Sequence, residues 1–142
     1  MMTDEQLVKV KKSLVLHEGW RNFPYTDTLG NLTIGVGFNL SDRGLSDDWI
    51  QNQFFSDVNF FHKNLYEFPW YHLMSENRQV VLIDMAFMGW KKFLGFEKMI
   101  QALENLDYEA AAEEILNSDW AKEVKGRAIQ LSEGMRTGVY NV

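Results

Sequence analysis

The chain has 142 residues, the size of one ordinary domain. Its hydrophobic fraction of 46% and aromatic fraction of 14% exclude an intrinsically disordered chain, and the absence of cysteine excludes disulfides and thiolate metal sites. The net charge of −6 argues against a nucleic-acid partner, because such proteins carry a basic patch. No apolar run approaches the roughly 18–20 residues that span a membrane, and the amino terminus lacks a secretory signal pattern, so we expect no membrane insertion.

The first predicted element is a helix that ends at a carboxyl group. Thr3 and Gln6 form a capping-box pattern ahead of apolar residues at helical spacing, which indicates a helix start. Gly19 is typical of a helix end. Glu18 therefore lies in the last turn, on the line of the apolar stripe.

A short β-hairpin follows this helix. Pro24 restricts its first strand to the edge of a sheet, because proline cannot donate a ladder hydrogen bond. Residues 32–38 alternate between apolar and small side chains, which predicts one continuous strand with an apolar face and a nearly bare face. The bare face leaves room for a ligand to approach the backbone.

The loop of the hairpin decides which residues face each other. A three-residue loop over 29–31, with Asn31 left-handed, pairs Asp27 with Thr33 and aims both at the bare face, and a bulge would have the same effect. A two-residue loop instead places Asp27 opposite Ile34 on the apolar face. We expect the three-residue loop.

Helical signals return after residue 39 and dominate the rest of the chain. Residues 80–88 are apolar except at Asp84, which predicts a central, buried helix whose carboxylate is satisfied by a neighbouring base. The element order predicts an α+β fold in a single domain over 1–142, with a small hairpin lobe at about 20–45 and a helical lobe formed by the remainder. An aromatic cluster is expected in the core: Trp49, Phe54, Phe55, Phe60 and Phe61.

Three residues around the hairpin match the needs of acetal hydrolysis. One carboxyl must stay protonated to donate to the leaving oxygen, and Glu18 ends its helix beside apolar residues. A second must stay ionised to handle water, and Asp27 follows nearby, with the Thr33 hydroxyl to help fix that water. The simpler alternative is a solvated Glu18, an Asp27 that forms a turn, and an ordinary strand residue at Thr33.

Other polar and aromatic residues carry weaker signals. The three histidines share no metal-ligand spacing, so we expect no metal site and no cofactor. Trp20 and Tyr25 lie near the turn, where their rings stack on a sugar or simply pack.

The spacing of Glu18, Asp27 and Thr33 resembles the catalytic signature of the phage-type lysozymes, glycoside hydrolase family 24. Further segments follow that family's order along nearly the whole chain. They are 33–37, 82–89, 95–96, 110–112, 120–121, 127–128 and 135–138.

The resemblance implies a lysozyme-like fold with a cleft between two lobes. It implies that Glu18 is the general acid and that Asp27 with Thr33 positions the attacking water. The substrate would be the β-1,4 bond between N-acetylmuramic acid and N-acetylglucosamine in bacterial peptidoglycan, cleaved with inversion and without a metal.

The resemblance also implies contacts outside the catalytic triad. Phe38, Asn39 and Phe87 correspond to substrate-binding positions, and Arg127 to an arginine that approaches the catalytic glutamate. The chain departs from the family where Phe38 replaces a polar residue and Met88 stands in place of an amide. The region after residue 40 is also shortened, so we expect a reduced small lobe.

These implications describe an endolysin. We expect a monomer whose partner is bacterial peptidoglycan, which waits in the host cytoplasm until a holin or similar lesion releases it to act on the wall. Two alternatives remain open: a virion-associated lysozyme used at entry, and a catalytically dead wall-binding module.

Overall fold

A computed structural model describes all 142 residues of the chain. The chain is mostly helical, with a three-stranded antiparallel sheet after the first helix, which confirms the α+β prediction. It divides into two compact units, a first unit over Met1–Asn52 and a second unit over Gln53–Val142. The first unit includes the residues expected in the hairpin lobe, 20–45, together with the first helix and the start of the third helix.

The first unit contains two helices, three strands and the start of a third helix. In chain order these are α1 (Asp4–Glu18), β1 (Arg21–Thr26), β2 (Leu32–Gly35), β3 (Phe38–Asn39), α2 (Leu40–Arg43) and α3 (Asp47–Leu65). The capping box at the start of α1 is formed as predicted: the Thr3 hydroxyl accepts from the Gln6 N–H, and the Gln6 side chain accepts from the Thr3 N–H.

The sheet has the order β1-β2-β3, so β1 is an edge strand, as Pro24 requires. The prediction of one continuous strand over 32–38 is wrong. The chain reverses after β2, and β3 pairs back onto it. Gly35 and Gly37 adopt φ values of 67° and 66°, which glycine tolerates and an extended strand does not use.

The hairpin loop is displaced by one residue from the predicted one. The predicted pairing of Asp27 with Thr33 is wrong, because Thr33 pairs with Tyr25. The Asp27 N–H donates to the Asn31 carbonyl, so the loop is 28–30 rather than 29–31. Gly30, and not Asn31, takes the left-handed conformation, with φ of 85°. Glycine adopts this conformation at no steric cost, which explains why it displaces asparagine there.

The second unit is entirely helical and contains the core. α3 continues into it from the first unit. The remaining helices are α4 (Pro69–His72), α5 (Glu76–Ala86), α6 (Trp90–Leu94), α7 (Glu97–Glu104), α8 (Tyr108–Leu116), α9 (Asp119–Val124) and α10 (Gly126–Thr137). α10 packs against α8, α5 and α9, and α7 packs against α8.

Every buried apolar side chain of the protein lies in the second unit. The predicted central helix is α5, which ends at Ala86 and buries Leu82 and Met85 but leaves Val80 47% exposed. The expectation of a helix buried on all sides is therefore wrong.

The expected aromatic core cluster is also wrong for most of its members. Only Phe61 packs against the core. The others are about half exposed: Trp49, Phe54, Phe55 and Phe60. Separately, none of the helices combines the length and apolar character needed to cross a bilayer.

Candidate active site

Glu18 is the last residue of α1. The helix ends there because Gly19 adopts a φ of 81°, and the Gly19 N–H donates to the Val15 carbonyl at 2.9 Å. The Glu18 side chain is exposed. The structure therefore differs from the expectation of a poorly solvated acid at this position.

The Glu18 carboxyl lies against the turn between β2 and β3. A Cβ atom at Gly37 would come within 2.6 Å of Glu18 Oε2, so only glycine leaves room for the carboxyl. At Gly35, by contrast, a Cβ atom would meet nothing within 4 Å. The space beside the backbone is thus occupied by the Glu18 carboxyl at Gly37 and is open at Gly35.

Asp27 organises the hairpin turn through its carboxylate. Its Oδ1 accepts the backbone N–H groups of Leu29 at 2.9 Å and Asn31 at 2.8 Å, and its Oδ2 accepts the Asn31 side-chain amide at 3.3 Å. The Asp27 N–H donates to the Asn31 carbonyl at 2.9 Å. This is the turn-forming role that aspartate commonly plays.

The same hydrogen bonds affect the charge of Asp27. They hold the pKa of its carboxyl below the ordinary value of 3.8, with the Asn31 backbone N–H as the largest cause. Partial burial acts in the opposite direction and is outweighed, and the nearby Thr33 hydroxyl adds a small lowering. Asp27 is therefore ionised at neutral pH.

Thr33 is the only buried residue of the first unit. It lies in the central strand, between Tyr25 of β1 and Asn39 of β3. Because Asp27 follows Tyr25 by two positions, Asp27 and Thr33 lie on the same face. The shared face was predicted correctly, although the loop that produces it was not. The Thr33 hydroxyl donates to the Asn31 carbonyl at 3.0 Å.

The two expected substrate contacts in β3 point to different environments. Asn39 lies opposite Thr33, and its side-chain oxygen caps α2 by accepting from the Asp42 N–H at 3.1 Å. Phe38 lies opposite Ile34, and alternation along the strand places this pair on the other face of the sheet.

The remaining expected site residues belong to the second unit. Phe87 follows α5 and packs against Phe61, with ring centroids 5.1 Å apart. Arg127 donates from Nε and Nη2 to Asp84 Oδ1 at 2.9 and 2.7 Å, and again to the Asp84 carbonyl. The expectation that Asp84 is satisfied by a base is confirmed, although the carboxylate is only partly buried.

Two contributors to the site were missed in the sequence. Asn31 holds the Asp27 carboxylate, and the signal for it was a glycine–asparagine pair three and four residues after an aspartate. Gly37 leaves room for the Glu18 carboxyl. No local sequence pattern predicts this contact, because the two residues are nineteen positions apart in the chain.

Trp20 and His62 have local partners. The Trp20 ring is 63% exposed, and its N–H donates to the Asn22 side chain at 3.0 Å. His62 Nδ1 lies 2.9 Å from the Tyr71 hydroxyl. The protein contains no group of three or more histidine, aspartate or glutamate side chains arranged to hold a metal ion.

Comparison with models of known protein families gives no match, and a search of curated proteins gives none either.

Proposed function

We propose that the chain is a muramidase that hydrolyses the β-1,4 bond between N-acetylmuramic acid and N-acetylglucosamine in bacterial peptidoglycan. The observation that carries this proposal is a pair of carboxyl groups in one unit with contrasting surroundings. Asp27 accepts three hydrogen bonds that favour its ionised form, whereas Glu18 lies against the Gly37 backbone. Pairs of carboxyls in unlike environments are how glycosidases separate acid from base.

In the proposed reaction Glu18 transfers its proton to the glycosidic oxygen as the bond from that oxygen to C1 of the muramic acid breaks. A water molecule attacks C1 from the opposite face and gives a proton to Asp27. The hydroxyl of water ends on C1, and the proton from Glu18 ends on the departing sugar. Proton exchange with solvent restores both carboxyls, so no metal or cofactor is needed.

Asp27 keeps an acceptor position for this water. A carboxylate has about four lone-pair positions, two on each oxygen. Two are used at Oδ1 and one at Oδ2, which leaves one at Oδ2 for a water proton. Thr33 is buried beside this carboxylate, and its hydroxyl donates to the Asn31 carbonyl, so in the proposed reaction it orients the water through the turn that holds Asp27.

The biological setting we propose is lysis of a bacterial host. The protein acts as a monomeric endolysin that stays in the host cytoplasm until a holin or similar lesion gives it access to peptidoglycan. Use of the same chemistry at entry, by a virion-associated enzyme, is the rival setting.

One observation favours a second candidate, a wall-binding module without activity. The Asp27 carboxylate already has a complete structural task in its turn, which a non-catalytic protein would also need. Loss of Glu18 or Asp27 would be typical of such a module, and this chain retains both.

Mass analysis of the products from purified peptidoglycan tests the proposal. A muramidase releases fragments with N-acetylmuramic acid at the reducing end. Reducing N-acetylglucosamine would indicate a glucosaminidase, a 1,6-anhydro product would indicate a transglycosylase, and intact peptidoglycan would indicate a binding module. Any of these three results would overturn the assignment.

A further inference from the structure

A groove of about 620 Å³ lies in the first unit, and none of Glu18, Asp27 and Thr33 lines it. Its apolar lining comes from Ile34, Phe38 and Leu45, together with the indole of Trp49. The volume falls within the range of about 300–1,000 Å³ that is usual for small-ligand sites. All of its lining residues belong to one unit, so the groove is complete within that unit.

The charge of this groove is opposite to that of the chain. Arg21 and Arg43 line it, and no aspartate or glutamate does, although the chain as a whole has a net charge of −6. Neither arginine takes part in any of the protein's ion pairs. The groove therefore presents two cations without an internal counter-charge.

Aromatic rings hold both guanidinium groups in place. Arg43 lies over the Phe38 ring at 4.3 Å, and Arg21 lies over the Tyr25 ring at 4.8 Å. A stacked guanidinium keeps its N–H donors at the rim, where they remain available to a ligand. Because the side chains are already positioned, less conformational entropy is lost when an anion binds.

We propose that this groove binds a carboxylate-bearing peptide, namely a stem peptide of the peptidoglycan mesh, an identity that rests on the proposed function. Guanidinium groups pair with carboxylates in a planar, charge-assisted geometry. Stem peptides combine free carboxylates with small apolar side chains, which match the wall formed by Ile34 and Leu45. A polyol phosphate polymer has the charge but lacks apolar groups to cover that wall.

The groove would act separately from the catalytic residues. The pair Ile34–Phe38 lines it, whereas Thr33 and Asn39 do not. A peptide held there belongs to the surrounding mesh rather than to the sugars at Glu18. Its contribution is retention of the protein on the wall.

Nuclear magnetic resonance titration of the full chain tests this binding directly. The probe is the tripeptide L-alanyl-γ-D-glutamyl-L-lysine with free carboxylates, and the reporter is the indole N–H of Trp49, assigned with Trp49→Phe. We expect a saturable shift of that signal. Arg43→Gln and Arg21→Gln should each weaken binding roughly tenfold, because each removes a charge-assisted partner. Lys9→Gln, the same change of charge on the exposed face of α1, should leave binding unchanged.

Three results would overturn the proposal. The first is no saturable shift at Trp49, the second is equal binding of the same tripeptide with its carboxyls amidated, and the third is tighter binding of glycerol phosphate than of the tripeptide. Circular dichroism of each variant separates loss of binding from loss of folding. The tripeptide contains no glycosidic bond, so failure here is distinct from failure of hydrolysis: a chain that binds it without cleaving glycan refutes only the proposed function.

Discussion

The two units of the chain distribute burial and chemistry in opposite ways. The second unit contains every buried apolar side chain, whereas the first unit buries only Thr33. The first unit instead depends on caps, the Asx turn at Asp27 and a short sheet. Regions with few buried apolar contacts open locally at low free energy, and functional loops are commonly drawn from them. From this contrast we expect substitutions in the first unit to change mainly activity and substitutions in the core of the second unit to change mainly stability.

Glu18→Gln should give the largest effect on activity and almost none on stability. Glutamine keeps the shape of the side chain but cannot donate the proton, so we expect turnover of peptidoglycan to fall roughly 10²–10⁴-fold. Glu5→Gln is the matched control, because it makes the same chemical change on an exposed position of the same helix. Near-normal turnover by a folded Glu18→Gln protein would remove Glu18 from the catalytic role.

Phe93→Ala should give the largest effect on stability. Phe93 is fully buried in the second unit, and truncation of such a side chain costs about 3–5 kcal/mol in the free energy of unfolding. Phe23→Ala makes the same change in the first unit, where the ring is 82% exposed, and should cost about 0.5 kcal/mol or less. Chemical denaturation measures both, and equal losses would contradict the contrast between the units.

Gly37→Ala should lower both the stability of the first unit and the turnover of peptidoglycan. An L-residue at φ of 66° costs roughly 1–2 kcal/mol, and the added Cβ would also displace the Glu18 carboxyl. Gly35→Ala carries the same backbone strain, at φ of 67°, but its added Cβ meets nothing within 4 Å. The difference between the two variants therefore measures the effect of displacing the Glu18 carboxyl. We expect similar stability losses and a clear loss of turnover for Gly37→Ala alone. Equal turnover in the two variants would show that Glu18 does not depend on this contact.

The two units should also lose stability at opposite ends of the pH scale. The pKa of Asp27 lies below 3.8, so its ionised form stabilises the first unit above that pH, and the contribution disappears as pH falls through the lowered pKa. Burial raises the pKa of Tyr71 from 10.0 to about 12, so its contribution to the second unit is complete below pH 10 and is lost between pH 10 and 12. Urea denaturation at each pH, with Asp27→Asn and Tyr71→Phe as controls, assigns each loss to its residue.

The sequence predicted helix starts better than it predicted the sheet. Caps are local, so Thr3 was identified from neighbouring residues alone, and its hydroxyl indeed accepts from the N–H three residues later. The break in 32–38 was missed because alternation of apolar and small residues fits a strand until two glycines both adopt positive φ. The one-residue error in the loop arose where Gly30 and Asn31 compete for the left-handed position.

Burial was predicted least well, for a physical reason. Helical periodicity identifies an apolar face but not what covers it. The aromatic residues at the start of α3 match such a face, yet Trp49 and Phe54 remain about half exposed. For the site, the shared face of Asp27 and Thr33 followed from strand alternation, whereas the contact between Glu18 and Gly37 depends on a chain reversal that the sequence did not reveal.

The stereochemistry of hydrolysis tests the central proposal most directly. An inverting glycosidase needs room for water between its carboxyls, about 6.5–9.5 Å, against about 5–5.5 Å for a retaining one. Proton nuclear magnetic resonance of the first product, recorded before the anomers equilibrate, reads the outcome. We expect the α-anomer of the muramic acid end, formed by inversion at Glu18 and Asp27. Net retention as the β-anomer would contradict the assignment of Asp27 as the residue that activates water.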